Sequence, residues 1–297
     1  MDTCGYRVVL SIDGGGIRGI IPLIMLDHIV ENFRVIGHEV LIPDLVDLFV
    51  GTSTGTIISS GLMLKNPDGS MKYSVRDMLN MYMNRGHQIF NKSNGNSSHR
   101  YVYPFRLVLE SSFGNYRMSD LKHNYMFVSY DLVENSPYFF KNNTEEQNAT
   151  ELSEVIMACS AVPGYFPPVR YRDRELADGM LTAKNPTKHA YEYARELFPN
   201  DKLLVVSLGT GSCVTKKTDW IDSEVVKTHS YMKKQMDFDQ NLIYVRLQPD
   251  LLIANESIDD TSDENISGLV NDSVNYLRAA TPKFDRLFNL MTIKLSA

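Results

Sequence analysis

The stretch from Gly51 to Gly55, "GTSTG", places a serine between two glycines in the pattern G-x-S-x-G. It follows the apolar run Leu45–Val50 and precedes residues with a helical composition. Glycines at both ends allow a sharp turn from strand to helix, which would lift the serine hydroxyl out of the backbone. The pattern therefore predicts Ser53 as a nucleophile for acyl transfer. A helix N-cap formed by Thr52 or Ser53 would produce the same letters and stays open as an alternative.

A second glycine-rich stretch, "DGGGIRG" from Asp13 to Gly19, follows the apolar residues Val8 to Ile12. A phosphate-binding loop would need a lysine and a hydroxyl residue that this stretch lacks. A dinucleotide fingerprint fits the letters, but no acidic residue follows a second strand convincingly. A tight turn is the simplest alternative. An oxyanion hole is favoured, because consecutive glycine amides can converge on one oxygen and Ser53 would need such donors.

A serine nucleophile also needs a proton acceptor. Asp178 is a candidate because "LADGM" ends a predicted strand at an Asp-Gly pair, although Asp-Gly is also common in hairpin turns. A carboxylate is a weak base at its usual pKa of about 4, so Asp178 would have to be partly desolvated and hydrogen-bonded to Ser53. His189 is the alternative base of a Ser-Asp-His hydrolase, but it lies in an apparent helix where a surface position is the simpler interpretation.

The elements that would have to position these residues alternate between strand and helix along most of the chain. Apolar runs predict strands over Arg7–Ile12, Leu45–Val50, Tyr125–Tyr130, Tyr138–Phe140, Arg170–Ala177, Leu203–Leu208 and Leu242–Leu247. Helices are predicted over Ile17–Phe33, Ser53–Leu64, Ser74–Ile89, Glu151–Cys159, Pro186–Leu197 and Ile266–Leu277. This alternation predicts an α/β fold in which a largely parallel central sheet is flanked by helices on both faces. Glycine-rich turns follow three of the strands, at Gly14, Gly51 and Gly209, where such sheets form their sites.

The composition restricts the class of protein. The chain has 297 residues, of which 43% are hydrophobic, enough for a core in one large domain. A net charge of −6 and the lack of a long basic run argue against a nucleic-acid binder. Cys4, Cys159 and Cys213 lack the spacing of a disulfide framework or a zinc site. No cluster of His, Cys and carboxylate residues has metal-ligand spacing either, so we expect chemistry without a metal, and no cofactor is predicted. The apolar run Ile20–Leu26 is too short for a signal peptide or membrane span, and we expect a cytoplasmic protein.

Taken together, these motifs make the chain resemble the patatin-like phospholipases. The resemblance extends from about Tyr6 to Gly211 and includes "FGNYRMSDL", "CSAVPGYFPP", "NPT" and "VSLGTG". Residues 212–297 match less clearly, and we expect them to pack on the same single domain, which spans 1–297.

The resemblance implies a patatin-like three-layer α/β/α fold and assigns roles to the motif residues. It makes Ser53 the nucleophile and Asp178 the sole base. It assigns the oxyanion hole to the glycine loop, at Gly14, Gly15, Gly16 and Arg18. Met180 departs from the family pattern, which has Gly or Ala after Asp-Gly, and this departure puts the size of the substrate pocket in question.

The activity implied by the resemblance is a lipid acyl hydrolase of the phospholipase A type, acting on phospholipid or galactolipid esters. Such an enzyme would contact a membrane surface transiently during turnover. A catalytically silent lipid- or nucleotide-binding effector on the same scaffold is the alternative from another class. Two further stretches have no assigned role: "RYVYPF", residues 100–105, is interpreted as a lid or as packed aromatic residues, and Ser257–Asn265 as a solvated acidic loop.

Overall fold

The computed structural model describes residues 5–89, 102–142, 145–213 and 220–295. Its strands are β1 (Arg7–Ile12), β2 (Leu48–Thr52), β3 (Asn124–Asp131), β4 (Ser136–Lys141), β5 (Val169–Tyr171), β6 (Arg174–Asp178), β7 (Leu203–Leu208), β8 (Ser212–Cys213), β9 (Leu242–Leu247) and β10 (Asp250–Leu251). Its helices are α1 (Ile20–Val35), α2 (Ile42–Leu45), α3 (Thr54–Met63), α4 (Val75–Ile89), α5 (Val102–Phe113), α6 (Glu145–Asn148), α7 (Leu152–Cys159), α8 (Met180–Ala183), α9 (Thr187–Leu197), α10 (Trp220–Phe238), α11 (Asp263–Ala279) and α12 (Thr281–Leu295).

The central sheet runs in the order β5-β6-β3-β2-β1-β7-β9, and β4 also pairs with β3. The pairs from β3 through β2, β1 and β7 to β9 are all parallel. The pairs that β3 makes with β4 and β6, and the pair β5–β6, are antiparallel. The predicted largely parallel sheet is therefore confirmed, with an antiparallel extension at one edge.

Two hydrophobic cores lie on opposite faces of this sheet, because successive residues of a strand point to opposite sides. Val8, Leu10 and Ile12 of β1 belong to the larger core, which also contains residues of α1, α3, α4, α5, α7, α11 and α12. Val9 belongs to the smaller core, with residues of α9 and α10. The layers are helix, sheet and helix, as the fold prediction stated.

Some sequence-based boundaries differ from the structure. The single strand predicted over Arg170–Ala177 is wrong, since these residues form the hairpin β5–β6 around Arg172, whose φ is 59°. The aromatic stretch continues into helix α5, in which Phe105 is buried and Tyr103 is exposed; residues 100 and 101 lie outside the described part. Helices α10 and α12 were not predicted.

The C-terminal helices pack on α1. The ring centroids of Phe33 and Phe288 are 4.7 Å apart, and those of His28 and Phe284 are 5.1 Å apart. Residues 263–295 thus share the larger core with the strands that carry the motifs. Within the described ranges, no helix combines the length and the apolar character that a membrane span requires.

Candidate active site

The carboxyl ends of three adjacent parallel strands bring the glycine-rich turns together. Ile12 pairs with Gly51 on one side and with Leu208 on the other, so β2, β1 and β7 end at the same level. The turn after β1 begins at Asp13, the turn after β2 contains Ser53, and the turn after β7 begins at Gly209. The predicted clustering of these turns at the carboxyl ends of the parallel strands is confirmed.

Ser53 lies in a sharp turn between β2 and α3, with φ 53° and ψ −118°. A positive φ is uncommon for a residue with a side chain, and it is maintained here by the packing on both sides. A Cβ on Gly51 would overlap the backbone of Gly55, and a Cβ on Gly55 would overlap the carbonyl of Ile12. The glycines of G-x-S-x-G are therefore required because three backbone segments meet there. Ser53 itself is buried and lines two cavities.

Asp178 ends β6 and is buried. Its Oδ1 accepts a hydrogen bond from the backbone N–H of Met180 at 2.8 Å. Its Oδ2 accepts no fully formed hydrogen bond from the described residues, but the Ser53 hydroxyl lies close enough to the carboxyl group to affect the pKa of Asp178. Burial raises the pKa of Asp178 to about 7, against the opposing effects of the Ser53 hydroxyl and the Met180 amide. A carboxyl group with this pKa is matched to accepting a proton near neutral pH.

The Asp-Gly pair does not form a hairpin turn. Gly179 has φ −61° and leads directly into α8. A Cβ at Gly179 would overlap the carbonyl of Val128 on β3, so glycine is needed for close packing. Thr52 ties the serine turn to the same helix, because its Oγ1 donates to the carbonyl of Ala183 at 2.7 Å. The serine turn and the aspartate are thus fixed to each other through α8.

The glycine loop offers two amides to a ligand, fewer than the three that the sequence predicted. The N–H of Gly14 donates to the carbonyl of Lys184 at 2.9 Å, so its assignment to the oxyanion hole is corrected. The N–H of Ile17 donates to the carbonyl of Ile258 at 2.9 Å. Within the described part of the chain, no hydrogen bond engages the N–H of Gly15 or Gly16. These two amides are the remaining candidate donors.

Arg18 steadies this loop. Its guanidinium is buried and donates to the carbonyls of Gly15 at 3.4 Å and Gly211 at 3.3 Å. These bonds connect the turn after β1 to the turn after β7. These contacts support a role for Arg18 in holding the glycine loop in place.

Substitution of Gly15 or Gly16 by alanine is expected to lower kcat by about 10² to 10³-fold, the usual effect of losing one oxyanion donor. A Cβ on Gly15 would overlap the side chain of Thr210, and a Cβ on Gly16, where φ is 59°, would overlap the carbonyl of Ile258. Ester hydrolysis by the purified variants measures the effect. Gly61→Ala in α3 is the control, since its Cβ would meet only the flexible end of Met78. Normal rates in both loop variants would refute the donor assignment.

Ser53 lies between two cavities. The first, called here the apolar slot, contains about 700 Å³ of space between atoms, the open mouth included. Its walls are formed by residues of α3, α4, α5 and the segment before β5, among them Ile57, Met81, Phe105, Leu109, Phe113 and Phe166. The second, called the polar cavity, contains about 1440 Å³ on the same measure. Its lining includes Arg18, Met180, Lys184, Cys213, Asn255 and Glu256.

The family of this chain is assigned from a family model that matches most of the segment carrying the motifs. The family model described as patatin-like phospholipase matches residues 10–191. The chain belongs to the patatin-like phospholipase family. Patatin-like protein 1 of Arabidopsis thaliana is 26% identical, over 71% of this chain and 60% of that protein. Patatin of Solanum tuberosum is 29% identical, over 71% of this chain and 62% of that protein.

The chain spans about six tenths of the length of these curated patatin relatives. Among solved structures, VipD from Legionella pneumophila aligns with a TM-score of 0.40 and 12% identity, over 92% of this chain and 67% of that chain.

In this patatin-like chain, the alternative base His189 lies elsewhere. Its Nδ1 is 3.4 Å from the Glu192 carboxylate, and its ring packs on Phe139 at 5.1 Å, next to the smaller core. Burial lowers the pKa of His189. Among the described residues, no hydrogen bond, ion pair or ring contact joins His189 to Ser53 or Asp178, so the geometry does not support a Ser-Asp-His triad. Within the described ranges, no group of three or more His, Cys, Asp or Glu side chains is placed to hold a metal ion.

Two residues at the patatin-like site were not found from the sequence. Ile258 lies in the stretch interpreted as a solvated loop, yet it contacts Gly16 and lines both cavities. The sequence feature that could have indicated it is an apolar residue inside an acidic segment. Arg246 forms a buried ion pair with Asp13. Its signal was a charged residue within the otherwise apolar run of β9. Met180, the departure from the family pattern, lines the polar cavity and supplies the amide that contacts Asp178.

Proposed function

We propose that this chain is a lipid acyl hydrolase of the phospholipase A type, with Ser53 as nucleophile and Asp178 as base. The observation that carries the proposal is the position of Ser53: beside a buried carboxyl group, next to two unengaged amides, and between an apolar slot and a polar cavity. Membership of the patatin-like phospholipase family supports the same activity.

The proposed reaction has two halves. Ser53 Oγ attacks the ester carbonyl carbon while its proton passes to Asp178, and the amides of Gly15 and Gly16 donate to the oxyanion. The intermediate collapses to an acyl-enzyme as the leaving alcohol takes the proton from Asp178. A water molecule then gives its proton to Asp178 and attacks the acyl-enzyme. Collapse of the second intermediate releases the fatty acid, and the proton returns to Ser53.

The two cavities support a lipid as substrate. The apolar slot has the aliphatic and aromatic walls that an acyl chain requires, and Ser53 is part of its lining. The polar cavity contains charged and amide side chains, among them Lys184, Asn255 and Glu256, which suit a polar head group. Phospholipid and galactolipid esters both meet this description.

We also propose transient contact with a membrane surface and a cytoplasmic location. Exposed apolar side chains lie on segments that also contribute to the cavities: Tyr103 and Leu107 on α5, and Leu252 and Ile253 just before the loop that lines the polar cavity. Apolar residues in such a position support contact with a lipid surface.

The decisive experiment combines hydrolysis with labelling. We expect the purified protein to release fatty acid from a fluorogenic phospholipid and to react with a fluorophosphonate probe, with the label located on the Ser53 peptide by mass spectrometry. His189→Ala is the matched control and is expected to retain both properties. A folded protein that neither hydrolyses nor labels would favour the catalytically silent effector. Loss of activity in His189→Ala would instead favour a Ser-Asp-His esterase.

A further inference from the structure

A buried ion pair lies directly beneath the glycine loop. Arg246 of β9 donates to Asp13 with both terminal nitrogens of its guanidinium group, Nη1 to Oδ1 at 2.8 Å and Nη2 to Oδ2 at 2.5 Å. Both side chains are buried. Asp13 is the residue between the end of β1 and Gly14, so the pair joins the start of the loop to a strand that is two positions away in the sheet.

The pair belongs to a buried hydrogen-bond network that connects the glycine loop to the start of α9 and to the turn after β7. Arg246 Nη1 also donates to Ser207 Oγ at 2.7 Å, and Ser207 Oγ is 2.7 Å from Thr187 Oγ1. Thr187 starts α9, shortly after the segment that carries Asp178. Arg246 Nη2 donates to Gln248 Oε1 at 2.9 Å. A Cβ on Gly209 would overlap this glutamine side chain, so packing explains the third glycine turn of the sequence.

The glycine loop is therefore held at both ends. At its start, the carboxylate of Asp13 is fixed by Arg246, and the N–H of Asp13 donates to the carbonyl of Leu208 at 3.0 Å. After its last unengaged amide, the N–H of Ile17 donates to Ile258. The amides of Gly15 and Gly16 lie between these two anchors. A shift of the Asp13 anchor would move both amides relative to Ser53.

The energetics of a buried pair point away from stability as its main role. Desolvation of two charges offsets most of their attraction, and well-packed apolar replacements often leave stability unchanged or raise it. Removing only one partner is strongly destabilising, because a buried charge is left without compensation. A bidentate guanidinium pair does fix direction as well as distance, which an apolar pair cannot do.

We infer that Arg246 is a positioning residue for the glycine loop, acting through Asp13 to direct the amides of Gly15 and Gly16 toward the substrate oxygen. The inference rests on the proposed function. It adds a residue that lies outside the matched family segment, residues 10–191. Within the described part of the chain, Arg246 lines neither cavity and forms no hydrogen bond with Ser53.

The test replaces the whole pair by apolar side chains of similar shape, Asp13→Leu with Arg246→Met. We expect a folded protein whose kcat falls by about 10²-fold, the cost of a misplacement of roughly 1 Å, while KM changes by less than about twofold. The matched control is Arg195→Met with Asp239→Leu. In that pair Arg195 Nε and Asp239 Oδ2 are 2.9 Å apart. The pair lies near the amino ends of β7 and β9, so it is at the opposite end of the strands from the glycine loop. The control is expected to keep its kcat.

A second variant and a second measurement separate positioning from folding. Arg246→Lys keeps the positive charge but cannot form the bidentate pair with Asp13. We expect a smaller fall in kcat, again without a matching change in KM. Affinity for an acyl trifluoromethyl ketone should fall in proportion to kcat, because addition of Ser53 to the ketone gives a hemiketal whose oxyanion would need the same two amides. Affinity for a non-hydrolysable ether lipid should not change. Thermal unfolding monitors the fold of each variant.

Two results would overturn the inference. The first is that the folded Asp13→Leu/Arg246→Met protein keeps the kcat of the wild type. If that double variant does not fold, the corresponding result is a wild-type kcat in Arg246→Lys. The other is a loss of ketone and ether-lipid affinity together, which would indicate a general distortion of the site. Failure of the proposed function gives a different result, since the wild-type protein would then show no hydrolysis, or Ser53→Ala would retain it.

Discussion

Asp178→Asn is expected to lower kcat by about 10⁴-fold, the upper range for loss of a general base. Asparagine keeps the shape of the side chain and can still accept from the Met180 amide, but it cannot take the proton of Ser53. Ester hydrolysis by variant and wild type at pH 8 measures the effect. Because burial raises the pKa of Asp178 to about 7, wild-type kcat/KM should rise with pH and level off above pH 7. A flat profile between pH 5 and 8 would contradict this assignment of the base.

The same substitution is expected to increase stability at alkaline pH. The carboxyl group titrates near 4 in the unfolded chain and near 7 in the folded protein, so the folded state binds more protons between these values. The free energy of unfolding therefore falls as pH rises from about 4 to about 7, by up to about 4 kcal/mol for a shift of this size. The Asp178→Asn variant avoids this loss, because an amide does not titrate, and its advantage should disappear below about pH 4.

Asp131→Asn provides the control of opposite sign. Asp131 is also buried in the sheet, and burial raises the pKa of Asp131, but a hydrogen bond from Arg174 and two backbone amides outweigh burial and lower it overall. Its ionised form stabilises the folded state, so the asparagine variant should be less stable than wild type at neutral pH and should approach it in acid. Denaturant unfolding at pH 4 and pH 8 compares the two variants. Destabilisation by Asp178→Asn at pH 8 would contradict the burial argument.

Under the proposed function, Ser53→Ala is expected to lower kcat by roughly 10⁶-fold, the loss that serine hydrolases show when the nucleophile is removed. KM and stability should change little, because within the described residues the Ser53 side chain caps no backbone group of α3, and the φ of 53° stays equally strained with a Cβ. Ser53→Gly should be equally inactive and at least as stable, since glycine adopts a positive φ without that strain.

Ser160→Ala is the matched control for the nucleophile. Ser160 also lines the apolar slot and is buried, and its Oγ has no hydrogen-bond partner among the described residues. Its loss should leave kcat close to that of the wild-type protein. Steady-state hydrolysis and fluorophosphonate labelling distinguish the two serines. Full activity in Ser53→Ala, or labelling on Ser160, would remove Ser53 from the mechanism.

The parts of the site that could be predicted from the sequence are those fixed by local sterics. The turn at Ser53 needs Gly51 and Gly55 because backbones meet there, and this requirement is visible as a short pattern. The alternation of strands and helices likewise predicted the sheet that places the turns at one edge. The pairing of Asp178 with Ser53 as base and nucleophile was assigned by the family resemblance, since the two lie 125 positions apart and no local rule joins them.

The parts that could not be predicted depend on contacts between distant segments. Whether the amide of Gly14 is free depends on the carbonyl of Lys184, and the partner of Asp13 is 233 residues away. Helix α12 could have been found, because Phe284, Leu287 and Met291 recur at helical spacing on its buried face. Helix α10 has a weaker pattern, since polar and apolar residues are mixed along its length.

The two cavities that meet at Ser53 have a consequence for the sequence of events in a turnover. Under the proposed function, the alcohol product leaves from the polar cavity while the fatty acyl group, bonded to Ser53, stays in the slot. The water for the second half-reaction then enters the space that the alcohol has vacated. A small alcohol could enter the same space, so the acyl-enzyme would partition between hydrolysis and acyl transfer according to what fills the polar cavity.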